Sequence, residues 1–147
     1  MPDVAAAMGI HQLRKADGFR RRRAAIAAAY TRGLAGLPLR TPATARQDEG
    51  HAWHLYVIQL DLARLRIDRD RCIELLAERG IGTSVHFIPL HLHPYWRDRY
   101  GFRPGDFPAA LHAYRRAVSL PIHTRLADGD VERVIATVRD VLLDHLA

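Results

Sequence analysis

An α+β unit, with a small sheet covered by helices and preceded by a long helical arm, is the fold this sequence predicts. Three observations point to it. Residues 2–34 carry apolar side chains at helical spacing. Three short runs, 53–60, 82–87 and 117–120, are rich in the aromatic and β-branched residues of strands. Between and after those runs lie helical patterns with their own caps and glycine stops.

The arm comes first. Pro2 suits a first-turn position, and Asp3 places negative charge near the positive end of the helix dipole. Ala6, Ile10 and Leu13 recur at helical spacing, and Phe19, Ile26, Tyr30 and Leu34 continue on a shifted stripe. Gly18 lies at the change of stripe, so a bend or break is expected there. A helix this long needs a larger partner surface than a small domain offers.

Residues 35–50, with Pro38, Pro42 and Gly50, read as a loop. The run Trp53–Leu60 reads as a strand. Asp68 can cap a helix whose apolar positions are Cys72, Leu75 and Leu76, and Gly80 stops it from the C′ position. Gly82–Phe87 reads as a second strand. It leads into a proline-flanked loop with His91 and His93 and a short aromatic turn at Tyr95 and Trp96. Residues 107–116 form a short helix and Ala117–Leu120 a third strand, ended by Pro121. Asp128 is the expected cap of a final helix with Val131, Val134, Ile135, Val138, Val141 and Leu142 on one stripe. No internal repeat interrupts this order.

Composition narrows the function. The 147 residues, 48% of them hydrophobic, suit one compact domain with an appended element. No apolar run is long enough to span a bilayer, and the start has no basic segment leading into one, as a secretory signal would. The single cysteine, Cys72, excludes an internal disulfide framework and suits a reducing cytoplasm. The formal charge of +6 comes almost entirely from arginine, Lys15 being the only lysine. Such a balance fits nucleic acid or acidic ligands such as nucleotide sugars, and solubility or base composition explains it equally well.

Few residues group into a chemical pattern. His86, His91 and His93 are imidazoles of the kind zinc takes, but no carboxylate at ligand spacing completes a site, so no metal is expected. His51 and His54 would point to opposite faces of a strand. Arg20 to Arg23 fan around a helix and make no single phosphate-binding face. Cys72 falls on an apolar stripe and reads as an inert core thiol. Gly80-Ile81-Gly82 is a helix stop before a strand, not a phosphate loop.

Six segments occur in one order and spacing. They are His51-Ala52-Trp53-His54-Leu55-Tyr56-Val57, Arg79 to Phe87, Pro89-Leu90-His91-Leu92-His93-Pro94-Tyr95, Pro104-Gly105-Asp106-Phe107-Pro108, Leu120-Pro121-Ile122-His123 and Asp130 to Ile135. Together with Met1 to Gly9, which is similar to an internal family segment entering a long helix, they resemble the C-terminal part of the DegT/DnrJ/StrS aminotransferases. The resemblance covers almost the whole chain.

That resemblance implies a fold-type-I enzyme using pyridoxal phosphate (PLP) to place an amino group, usually from glutamate, on a nucleotide-linked keto sugar. It implies that residues 1–35 are a helical arm belonging to the end of a large domain and its linker. Residues 36–147 would then be the small C-terminal α+β domain. The Schiff-base lysine belongs to the family's large N-terminal domain, so Lys15 is not expected to replace it, and no catalytic or cofactor-binding residue is expected here. By the resemblance, His86 contacts the sugar nucleotide and His91 and Tyr95 shape the substrate-side loop. From the bare residues, His86 reads as a sheet histidine bonded to backbone. A homodimer or a partnering large domain is implied, in the cytoplasm, with neither membrane nor nucleic acid as partner. Two other readings stand beside this one: a non-catalytic module that pairs with a separate large domain, and a small basic nucleic-acid-binding protein.

Overall fold

A computed structural model describes residues 1–43 and 50–147. The part of the predicted loop at 44–49 lies outside the described residues. Helix α1 spans Asp3–Gly33, with Pro2 as N-cap, its carbonyl accepting the Ala6 N–H at 3.0 Å. The helix passes Gly18 without the expected break. A glycine inside a helix costs only roughly 0.5–1 kcal/mol against alanine, and the alanines and arginines around it are good helix formers. The change of stripe has another meaning. Ile26, Tyr30 and Leu34 are buried, whereas Ile10 and Leu13 of the first stripe lie open to solvent.

Three strands form one antiparallel sheet in the order β1-β2-β3, with β1 at Leu39–Arg40, β2 at Tyr56–Leu60 and β3 at Ala117–Leu120. β3 matches its predicted bounds. β1 lies inside the predicted loop, pairing Leu39 with Leu60 and Arg40 with Gln59. So short an edge strand, set between Pro38 and Pro42, has no period to read. β2 starts three residues later than predicted, because Trp53 is left-handed at φ 46° and breaks the extended run. The Trp53 N–H donates to His51 Nδ1 at 3.0 Å, and its ring is buried beside Tyr56.

The predicted strand at 82–87 does not form. Only Ser84 pairs, exchanging hydrogen bonds of 3.2 and 2.8 Å with Ser119 at the outer edge of β3. Val85, Phe87 and Ile88 are all exposed, so no buried face holds the segment in register.

Helix α2 spans Arg69–Glu78, capped as expected by Asp68, whose Oδ1 accepts the Arg71 N–H at 2.8 Å. Gly80 leaves it with φ 76°. The aromatic turn expected at Tyr95 and Trp96 is a full helix, α3, at Pro94–Tyr100. Helices α4 and α5 span Pro108–Arg116 and Asp128–Leu143. The residue before α5 is Ala127, not Asp128, and its N–H donates to Asp130 Oδ2 at 2.9 Å. With that donor satisfied by Asp130, Asp128 turns outward to pair with Arg22 at 2.7 Å.

The core lies on one face of the sheet. Tyr56, Ile58 and Leu60 of β2 meet Ile26 and Tyr30 of α1, Leu76 of α2, and Val138 and Val141 of α5. The Tyr30 hydroxyl donates to the Pro121 carbonyl at 2.7 Å, and Thr31 Oγ1 and the Tyr56 hydroxyl share a 2.8 Å bond. Burial, with Tyr56 and Asp130 nearby, pushes the Tyr30 hydroxyl up to about 12. Arg139 ties α5 to α1 by donating to the Gly33 carbonyl at 3.0 Å.

Candidate functional site

The opposite face of β2 carries Val57, with Leu55 just before the strand, and α4 only partly covers it. A concavity of about 280 Å³ remains, closed by Phe87, Pro89 and Tyr114, with His86 in its wall. A second, of about 380 Å³, lies between the segment Pro89–His91, Trp96 of α3, and Phe102 and Phe107 of the following loop. The two share Pro89 and Ala110.

Local structure explains why they lie side by side. The Ser84–Ser119 bridge anchors the chain just before His86. A 3-10 turn at Leu90–Leu92, with the Leu92 N–H on the Pro89 carbonyl at 2.9 Å, then turns His91 inward. Arg69 holds the α4 wall. Its guanidinium lies 5.0 Å from the Tyr114 ring centroid and donates to the Tyr114 carbonyl at 3.2 Å. Arg116 fastens the end of α4 to β2 by donating to the Leu60 carbonyl at 2.6 Å.

The sequence-predicted residues take three different settings. His86 is exposed at the first concavity, its ring 5.4 Å from that of Phe87. His91 is only 6% exposed, its Nε2 has no hydrogen-bond partner, and its ring lies 4.9 Å from Phe107. Tyr95 is 67% exposed and packs edge-on against Trp96 at 5.4 Å, outside both concavities. His93 turns away to the Ile88 carbonyl at 3.2 Å. Among the described residues no group of three His, Cys, Asp or Glu side chains comes together as a metal would require. Cys72 is buried in the core, and burial pushes its thiol up to about 11.

Sequence reasoning gave no site role to Arg69, Trp96, Phe102, Phe107 or Tyr114. Arg69 left a trace, because a cation directly after an N-cap opposes the helix dipole and needs a partner elsewhere. Trp96 reads only as part of an aromatic turn, and the helical spacing of Phe107 and Tyr114 does not say what they border.

These residues do not fit PLP. The one lysine, Lys15, is exposed on α1, and neither concavity is lined by a lysine or a carboxylate. No catalytic step is assigned to them through that cofactor.

The architecture is that of part of an aminotransferase fold. Spr1654 from Streptococcus pneumoniae, solved in its PLP-form and its PMP-form, superposes with TM-scores of 0.87 and 0.88 at 30% identity, over 98% of this chain and 36% of that one. MJ1066 of Methanocaldococcus jannaschii is 43% identical over 99% of this chain and 38% of its own length. The spore coat polysaccharide biosynthesis protein SpsC of Bacillus subtilis is 42% identical over 97% of this chain and 37% of its own. The profile of the DegT/DnrJ/EryC1/StrS aminotransferase family matches residues 1–139. The chain belongs to that family, and spans little more than a third of the length of the curated relatives it matches. No helix among the described residues is long and apolar enough to cross a membrane.

Proposed function

We propose that this chain is the substrate-side segment of a PLP-dependent aminotransferase acting on nucleotide-linked keto sugars, with an amino acid such as glutamate as donor. In this reading residues 1–35 are the arm joining a large domain to the small domain at 36–147. The covalent cofactor lysine lies outside these residues. His86 contacts the sugar nucleotide, His91 and Tyr95 shape the loop beside it, and the arm takes part in a homodimer. The cytoplasm is the setting that suits its single buried thiol.

The observation carrying the proposal is the His86 imidazole, exposed at the mouth of a concavity on the less covered face of the sheet. An imidazole so placed can exchange hydrogen bonds with sugar hydroxyls or phosphate oxygens. The test is titration of the chain with a nucleotide-linked sugar while the imidazole resonances are followed. The ligand should perturb His86, and His86→Asn should weaken binding about tenfold, on the order of 1.4 kcal/mol. An unperturbed His86, or a chain that binds PLP covalently and transaminates a keto sugar unaided, would sink the reading.

The exposed apolar residues of the arm favour a second arrangement, in which the chain pairs with a separately supplied large domain. Co-purification of such a polypeptide would select it. A well-folded monomer in solution would eliminate it.

A further inference from the structure

Four consecutive arginines fan around α1, yet two of them meet at one place. Arg20 and Arg23 stand one turn apart and line a concavity of about 300 Å³ with Ala16, Asp17, Phe19 and Ala52. It lies where the packed half of the helix gives way to the open half: Ile26 and Tyr30 beyond it are buried, and Leu13 before it is exposed. Ala52, next to left-handed Trp53, closes it from the other side. The concavity shares no residue with the two near His86 and is independent of the sugar reading.

Arg23 sets its chemistry. Ile26 and Tyr30 follow it by three and seven residues, which puts Arg23 on the core-facing side of the helix. Its side chain is partly withdrawn from water there, and its Nε is buried with no hydrogen-bond partner. Among the described residues no ion pair engages Arg20 or Arg23, whereas Arg22 beside them is already held by Asp128. A buried donor left unpaired on a charged group is costly. The site therefore calls for an acceptor that the described residues do not supply.

The surroundings select that acceptor. A guanidinium presents its nitrogens as a planar fork that matches the two oxygens of a carboxylate. Ala16, Phe19 and Ala52 give the carbon stem of such a group an apolar bed. A phosphate fits less well, because its further oxygens would face those apolar walls and Asp17 on the rim repels a second negative charge. A neutral molecule would forgo the charge on both arginines.

We propose that this concavity binds a carboxylate on a short apolar stem, with Arg23 taking the carboxylate in its fork and Arg20 adding positive charge at the rim. A small free carboxylic acid carries that group, and so does an Asp or Glu side chain of a second copy of this chain.

Butyrate is the probe, titrated into the isotopically labelled 147-residue chain with chloride keeping the ionic strength constant. The Arg23 Nε–H and the Ala52 amide are the readouts. Butyrate should move both saturably, and butyramide, its neutral isostere, should move neither. Arg23→Lys keeps the charge but loses the fork, and should weaken butyrate, read at Ala52, about tenfold. Arg20→Gln should weaken it about threefold, as loss of an exposed charge does, and Asp17→Asn should strengthen it. Arg23→Met should melt no lower than the parent, since an unpaired charge gives way to an apolar stem, and butyrate should raise the melting temperature of the parent alone.

The proposal is overturned if Arg23 Nε stays unmoved, if butyramide or inorganic phosphate moves it as butyrate does, or if Arg23→Met melts markedly lower. Asp48 and Glu49 precede Ala52 by four and three residues in the sequence. If Asp48→Asn with Glu49→Gln shifts the Arg23 Nε signal of the ligand-free chain, the chain supplies its own carboxylate and the proposal also falls. Once butyrate binds, raising the chain's concentration without it separates the two sources. An Arg23 signal that moves with concentration identifies a second copy's side chain, and one that stays in place identifies a free acid.

Discussion

Side chains at the two helix starts make the most local predictions. Asp68 and Asp130 each accept an N–H at the start of a helix, while Asp128 forms only an exposed ion pair. Asp68→Ala and Asp130→Ala should therefore each cost about 1 kcal/mol in thermal or urea unfolding. Asp128→Ala should cost less, roughly 0–0.5 kcal/mol. Equal losses at 128 and 130 would contradict the cap assignment. Burial sets the alkaline limit. The Cys72 thiol is raised from 9.0 to about 11 and the Tyr30 hydroxyl from 10.0 to about 12. In both cases the unfolded chain releases its proton first. Their contribution is complete below about pH 9 and is lost as pH rises towards about 12. Urea midpoints across that window should fall steadily, and Cys72→Ala should delay the onset. The same burial makes Cys72 slow to alkylate until the chain unfolds.

Two glycines of α1 separate element from context. A Cβ at Gly33 would come within 2.6 Å of Ile135 Cγ2 on α5, whereas at Gly18 it would meet nothing within 4 Å. Gly33→Ala should destabilise by about 1–3 kcal/mol through overpacking, and Ile135→Val in the same chain should restore part of that loss. Gly18→Ala should instead raise helicity by circular dichroism, since alanine is favoured over glycine by about 1 kcal/mol in a helix interior. A fall in helicity would mean that the arm bends at Gly18 in solution. In the sheet, the failed strand at 82–87 shows the limit of local pattern. Its residues suit a strand, but pairing needs an edge and a buried face, and only Ser84 finds the edge.

At the scale of the whole molecule the arm is out of balance with the rest. Val4 and Met8 lie one turn apart on one side of α1, and Ile10 and Leu13 on the other, all exposed. A helix apolar on opposite sides needs cover on both. The lone chain should self-associate at micromolar concentration, and Val4→Glu with Leu13→Glu should shift sedimentation towards monomer without lowering the melting temperature. A monodisperse unmutated monomer would contradict this.

The helices α2 and α5 and the strand β3 were legible from the residues, because each buries a continuous stripe or run that local spacing records. Cys72, Leu75 and Leu76, or Val134, Val138 and Val141, face one core and need no distant information. The order of the six segments also carried the family, which the match over residues 1–139 bears out. Tertiary structure decided the rest. It placed a two-residue β1 where prolines suggest only loop, and it turned Trp53 left-handed beside Tyr56. It also buried His91 while leaving His86 open, and set Trp96 of α3 and Phe102 and Phe107 of the next loop around one concavity. Each of these depends on which surfaces meet after the chain folds back. A period of 2 or 3.6 residues says which side of an element is apolar, but not what will cover it.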